Sequence, residues 1–66
     1  MTTYRETIWK ADSRLDHHVF EIREPGEATP GYTAALSPRE AKEARRQFKA
    51  RGWREAGRPR VRRYEQ

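Results

Sequence analysis

The sequence contains no cysteine and no long apolar run. The absence of cysteine excludes disulfides and thiolate metal sites, and it favours a reducing compartment such as the cytoplasm. No segment is apolar over the length needed to cross a bilayer, and residues 1–13 lack the apolar stretch of a signal peptide. We therefore expect a cytoplasmic protein that does not use a membrane.

Apolar residues are also scarce, at 33% of the 66 residues. A chain of this size and composition forms one small core at most, so we expect a single basic domain over 1–66 without a deep substrate cleft. Burial against a second copy would enlarge the core, and a homodimer therefore stays open. The large apolar residues available are Tyr4, Ile8, Trp9, Leu15, Val19, Phe20, Ile22, Tyr32, Leu36, Phe48, Trp53, Val61 and Tyr64.

Positive charge is abundant, with a formal net charge of +5, and it is unevenly distributed. Residues 1–36 hold four Lys and Arg against six Asp and Glu, whereas residues 37–66 hold eleven against four. Such a split indicates a basic surface for nucleic-acid phosphates or for an acidic protein partner. Twelve of the fifteen cations are arginine, which a GC-rich genome also produces, so composition alone does not show that they are functional.

The first half of the chain predicts a β-hairpin. Residues 3–10 are rich in β-branched and aromatic side chains, and His18 and Phe20 alternate with their neighbours within 17–23. Residues 11–16 contain Asp and Ser and predict the turn between the two strands.

A Pro-Gly loop and a short third strand follow the hairpin. Pro-Gly pairs at 25–26 and 30–31 each suit the centre of a type II turn. Alternation over 32–36 then predicts the third strand.

The clearest local pattern is a helix over 38–51. Ser37 suits the N-cap and Pro38 the first helical position, and Glu40 completes a capping box with Ser37.

The end and the buried face of this helix are also predicted. Gly52 suits the left-handed residue after the helix, and Trp53 is placed to fold back on Phe48. Ala41 and Ala44 share a face with Phe48, which should lie on the sheet.

A last strand is predicted over 58–64, with Val61 facing the core. Pro59 restricts this strand to an edge or marks its first residue. The residues expected to face outward are Arg60, Arg62 and Tyr64. The predicted fold class is therefore α+β: a small antiparallel sheet of three to four strands with one helix packed on one face, in the order β-β-(β)-α-β.

Nine cations are candidate nucleic-acid contacts. Four of them follow one another on the helix at spacings of three, four and three, and we call this set the helix stripe: Arg39, Lys42, Arg46 and Lys49. The others follow the helix: Arg54, Arg58, Arg60, Arg62 and Arg63. Trp53 and Tyr64 are interleaved with them, and aromatic rings stack on unpaired bases.

Two short resemblances add to these patterns. Residues 57–60 (Gly-Arg-Pro-Arg) resemble the centre of the AT-hook, which implies contact with the minor groove, although Ala56 stands where the hook has an arginine. The order strand, strand, Pro-Gly loop, short strand and helix, especially over 25–44, resembles the small HicB antitoxin domain. That resemblance implies inhibition of a protein partner.

Catalytic and metal sites are not expected. His17 and His18 are the only histidines, and neighbours on a strand point to opposite faces, so they cannot hold one metal together. We expect one to lie at the surface and the other at the edge of the core. No motif indicates a cofactor.

The resulting hypothesis is a small non-catalytic protein that contacts nucleic-acid phosphates through the helix stripe and the last strand. Four to six duplex phosphate contacts would make log affinity fall against log salt with a slope of about −4 to −5. The alternative is an interaction module, such as an inhibitor, antitoxin-like protein or adaptor, that docks on an acidic partner or pairs with itself.

Overall fold

The computed structural model describes residues 1–11 and 14–63, which form one helix and a five-stranded sheet. The elements are β1 (Thr3–Ala11), β2 (Arg14–Arg23), β3 (Gly31–Tyr32), α1 (Pro38–Ala50), β4 (Arg54–Glu55) and β5 (Arg60–Arg63). The predicted α+β class is confirmed, and so is the helix on one face of the sheet. An additional two-residue strand, β4, precedes the last one.

The central strand of the sheet is β1. It pairs antiparallel with β2, which in turn pairs antiparallel with β3. On its other side β1 pairs with β4 and β5, and both of these pairings are parallel. The parallel pairings arise because α1 carries the chain back along the sheet between β3 and β4.

The hairpin is tighter than predicted. β1 continues to Ala11 and β2 begins at Arg14, with a bulge between Trp9 and Ala11. The predicted turn at 11–16 is therefore too long, because strand pairing continues into both of its ends. The remainder of that turn, residues 12–13, lies outside the described residues.

The Pro-Gly loop agrees with the prediction at one of its two turns. Gly26 has φ +84°, and the Glu27 N–H donates to the Glu24 carbonyl at 3.2 Å, as in a type II turn. Gly31 instead pairs with Ile22 as part of β3 and has no left-handed φ, so the second predicted turn is wrong.

The third strand is shorter than predicted. Only Gly31–Tyr32 forms a strand, and a single antiparallel bridge between Leu36 and His18 closes the predicted segment 32–36. Between them, the Thr33 hydroxyl accepts a hydrogen bond from the Phe20 N–H at 3.0 Å.

The start of α1 is confirmed in detail. The Glu40 N–H donates to the Ser37 hydroxyl at 3.2 Å, and the Ser37 N–H donates to the Glu40 carboxylate at 2.9 Å. The hydrogen bonds from the Ser37 backbone and then from its side chain lower the pKa of Glu40 from its ordinary value.

The end of α1 is confirmed as well. Gly52 has φ +81°, and the Trp53 N–H donates to the Phe48 carbonyl at 3.0 Å. The Phe48 and Trp53 rings stack with centroids 4.9 Å apart. This is the Schellman arrangement, in which the ring contact covers the last turn of the helix.

The core lies between α1 and one face of the sheet. Its buried members are Tyr4, Phe20, Ala41 and Phe48, and the three aromatic rings contact one another at centroid distances of 5.0 to 6.0 Å. Burial raises the pKa of the Tyr4 phenol, and the carboxylate of Glu55 raises it further.

Three apolar residues expected in the core are exposed: Leu15, Tyr32 and Val61. Val61 is aligned with Ile8 on the helix side of the sheet, yet 58% of it is exposed. Val61 therefore lies on the predicted side of the sheet but is not part of the core, because α1 lies mainly over β2 and does not extend over the β5 edge.

None of the helices among the described residues has the length and apolar character needed to cross a membrane.

Candidate nucleic-acid interface

One face of the sheet is covered by α1 and the other is not. Alternation along β1 directs Tyr4 and Glu6 towards the helix, where both are buried. Thr7 and Trp9 therefore project from the opposite side. We call this uncovered side of the sheet the open face.

The last strand contributes two arginines to the open face. Arg60 is aligned with Thr7 and Arg62 with Trp9, so both guanidinium groups project on the side away from α1. Arg54 on β4 is aligned with Thr3 and projects to the same side. The predicted outward orientation of Arg60 and Arg62 is thus explained by their register with β1.

A shallow cavity of about 260 Å³ lies on the open face, and we call it the bowl. Thr7 and Val19 are opposite each other in the sheet and are smaller than the residues around them, so they form the floor. The remaining lining residues form the walls: Trp9, Glu21, Tyr32, Arg60 and Arg62.

The two aromatic walls of the bowl differ in exposure. Tyr32 on β3 is aligned with Glu21 on β2. It is 67% exposed because β3 is a two-residue strand at the edge of the sheet. Trp9 is half-buried and lies next to His17 on the neighbouring strand.

The charge of the open face is strongly positive. Among the residues that the structure describes, five arginines on this face, Arg5, Arg23, Arg54, Arg60 and Arg62, accompany a single glutamate, Glu21. Glu21 forms an ion pair with Arg23 at 2.8 Å. The Arg5 Nε donates to the Arg58 carbonyl at 3.3 Å, so Arg5 also holds the loop before β5 in place.

The helix stripe lies elsewhere. Its four residues are exposed on the side of α1 away from the core, because Ala41 and Phe48 on the other side face the sheet. Arg46 is also engaged locally, with its Nη1 3.4 Å from the Glu43 carboxylate. The helix stripe and the arginines of the open face therefore point to opposite sides of the molecule.

The nine predicted contact residues thus do not form one surface. Three project from the open face, Arg54, Arg60 and Arg62, and four form the helix stripe. Arg58 lies in the loop before β5, and Arg63 is aligned with Lys10 on the helix side of the sheet. Tyr64, expected to project with the β5 arginines, lies outside the described residues.

The structure also contains a buried ionic cluster that the sequence analysis missed. Glu6 is only 2% exposed, and both of its carboxylate oxygens lie 2.9 Å from Nη1 of Arg45 on α1. Nδ1 of His18 donates to the same carboxylate. These three residues therefore tie the helix to β1 and β2.

The sequence did contain a pattern for this cluster. Arg45 follows Ala44 and precedes Phe48 by three positions, which places it beside the apolar face of α1. Glu6 alternates in phase with Tyr4 on β1. One of the two histidines was expected at the edge of the core, and the buried one is His18.

Within residues 1–11 and 14–63, no group of three or more His, Cys, Asp or Glu side chains is arranged to hold a metal ion.

Models of protein families, curated proteins and solved structures give no significant match to this chain. The open face and the buried ionic cluster are therefore the features on which a function can be argued.

Proposed function

We propose that this protein is a non-catalytic nucleic-acid-binding protein and that its contact surface is the open face. The observation that carries the proposal is the position of Arg60 and Arg62 beside the rings of Trp9 and Tyr32 around one cavity. A nucleic-acid ligand also agrees with the cytoplasmic location that the sequence predicts.

The chemistry of the open face suits such a ligand. Arginine donates forked, charge-assisted hydrogen bonds to phosphate oxygens, and aromatic rings stack on bases. The face offers both groups within the span of three neighbouring strands, β2, β1 and β5, with Tyr32 on the adjoining β3. Because no helix in the described part of the chain covers it, a ligand can approach without any rearrangement of the fold.

The helix stripe is the weaker of the two basic surfaces. No exposed aromatic ring accompanies its four cations on α1, and Arg46 is partly neutralised by Glu43. It would attract phosphates only as a set of point charges, so its contribution should be nonspecific and secondary.

Paired charge removal on each face tests the proposal. The Arg60→Ala/Arg62→Ala variant should weaken nucleic-acid binding at least tenfold, because each lost charge-assisted contact is worth about 1.5 kcal/mol or more. The matched control, Arg46→Ala/Lys49→Ala, removes the same charge from the helix stripe and should change affinity by roughly twofold. Binding is measured by fluorescence anisotropy with labelled oligonucleotides at low salt.

Equal losses from the two variants would show that the open face is not the contact surface. Failure of the wild-type protein to bind DNA or RNA at low salt would refute nucleic-acid binding altogether.

A protein-interaction module is the second candidate, and a second cavity favours it. This groove of about 420 Å³ adjoins Tyr32, and its lining is Ile22, Glu24, Glu27, Thr29, Pro30, Gly31, Tyr32 and Trp53. Its aromatic and apolar walls carry two glutamates, a composition suited to an arginine-bearing segment of a second copy.

Light scattering at low and high salt tests this candidate. Self-association through the groove would give a dimer that dissociates as salt rises and that is lost in the Glu24→Gln/Glu27→Gln variant. A monomer at all salt concentrations would exclude self-association through the groove.

A further inference from the structure

We infer that the bowl receives one unpaired base, so that the ligand of the open face is single-stranded nucleic acid. This inference rests on the proposed function and specifies its ligand. It depends on the shape of the bowl and on the accessibility of its aromatic wall.

The shape of the bowl follows from strand register. Thr7 and Val19 lie opposite each other in the middle of the open face, where their small side chains leave a depression. Two residues after Thr7 on β1, Trp9 and its aligned neighbour Arg62 form one wall. Two residues after Val19 on β2, which runs in the opposite direction, Glu21 and its aligned neighbour Tyr32 form the opposite wall.

The size of the bowl limits its occupant. At about 260 Å³ it falls just below the range of roughly 300–1,000 Å³ that is typical of pockets for drug-sized ligands and cofactors. An open depression of this size with aromatic walls suits one planar ring system. It does not suit an extended cofactor.

The surrounding groups agree with a nucleotide chain. Arg60 borders the bowl on the β5 side and Arg62 extends from the wall that it shares with Trp9, positions from which both can reach phosphates on either side of the inserted base. Glu21 supplies a hydrogen-bond acceptor to the opposite wall, which suits the amino group of a base.

A duplex cannot supply such a base without opening. Paired bases are stacked inside the helix and present only their edges in the grooves. A broad sheet face has no projecting helix to enter a groove, whereas it can contact a strand whose bases are turned outward. Binding to a duplex would therefore use only the arginines.

Three ligands separate base contact from phosphate contact. They are a labelled single strand of about 12 nucleotides, its duplex, and the same strand with abasic positions, each measured at low salt. The single strand and duplex are prepared as DNA and as RNA. We expect the intact single strand to bind at least fivefold more tightly than the other two ligands, in at least one of the two chemistries.

Variants at Tyr32 identify the bowl as the source of this preference. Tyr32→Ala should reduce the single-strand affinity at least about fivefold, the lower end for loss of one stacked base, and should leave duplex affinity unchanged. Tyr32→Phe keeps the ring and should retain the preference. Because Tyr32 is exposed and outside the core, neither variant should alter the fold.

The outcomes distinguish the inference from the proposed function. In one outcome, the three ligands bind equally and their binding is still weakened by Arg60→Ala/Arg62→Ala. That result would refute insertion of a base into the bowl but would support the open face as the contact surface. A single-strand preference that survives Tyr32→Ala would also refute insertion of a base into the bowl. Absence of binding to every ligand would overturn both.

Discussion

Glu6 places a carboxylate inside the core of a protein with a formal net charge of +5. A buried carboxylate is costly unless it is paired and hydrogen-bonded, and here Arg45 and His18 do both. Because Arg45 is on α1 and the other two residues are on β1 and β2, the cluster connects the helix to both strands.

Replacing Glu6 with glutamine should destabilise the protein by about 2–3 kcal/mol. Loss of one partner of a buried ion pair costs about 3–5 kcal/mol, and the value here should be lower because a third of the Arg45 side chain remains exposed. The measurement is the free energy of unfolding in urea.

Glu43→Gln is the matched control for this prediction. It removes the same charge from an exposed ion pair with Arg46 and should cost no more than about 0.5 kcal/mol. The double variant Glu6→Gln/Arg45→Met leaves no unpaired guanidinium. Its loss in free energy of unfolding should therefore be smaller than the sum of the losses for the two single variants. Similar losses from Glu6→Gln and Glu43→Gln would show that the buried cluster stabilises the protein no more than an exposed ion pair does.

The helix α1 is defined at its start by the reciprocal hydrogen bonds of Ser37 and Glu40. The lowered pKa of Glu40 means that its ionised form is favoured by folding. Its contribution to stability is therefore complete above its ordinary pKa of 4.5 and is lost as pH falls through the lower value of the folded state.

The Glu40→Gln variant should therefore be less stable than wild type at neutral pH, and the difference should shrink as pH falls below about 4.5. The check is the midpoint of urea unfolding for both proteins across the acid range. A difference that stays constant over that range would mean that the capping carboxylate does not act through its charge.

The sheet separates the positive charge of the molecule onto two sides. Of the five arginines on the open face, Arg23 is paired with Glu21 and Arg5 is hydrogen-bonded to the Arg58 carbonyl. A ligand there therefore meets Arg54, Arg60 and Arg62 but not the helix stripe. For a single strand contacted by three arginines, log affinity against log salt should have a slope of about −2.

A titration of affinity over a range of salt concentrations measures this slope. Joint use of both basic segments on a duplex would instead give about −4 to −5, the value expected from sequence alone. A slope near that larger value would mean that the ligand wraps around the molecule and contacts both sides.

The parts of the fold that the sequence predicted well depend on contacts within a few residues. Ser37 and Glu40 are three positions apart, and Gly52 and Trp53 directly follow the helix that they end. The alternation that directs Arg60 and Arg62 to one side is equally local.

The parts that were missed depend on distant segments. Val61 is exposed because the helix does not extend over the β5 edge. The position of the helix on the sheet cannot be predicted from the sequence pattern within 58–64. Gly31 pairs with Ile22 instead of forming a turn. Glu6 and Arg45 meet across 39 positions of sequence, so the local pattern around each residue does not identify the other as its partner.

The amino-acid sequence by itself determined the α+β class and the ends of the helix, because capping and strand alternation operate over a few bonds. It also determined that positive charge is concentrated in residues 37–66. Only the tertiary structure decided that Trp9 and Tyr32 share the bowl with Arg60 and Arg62. It also decided that the helix stripe faces away from them. Both outcomes follow from strand register and from which side of the sheet the helix covers, and these are properties of the assembled molecule.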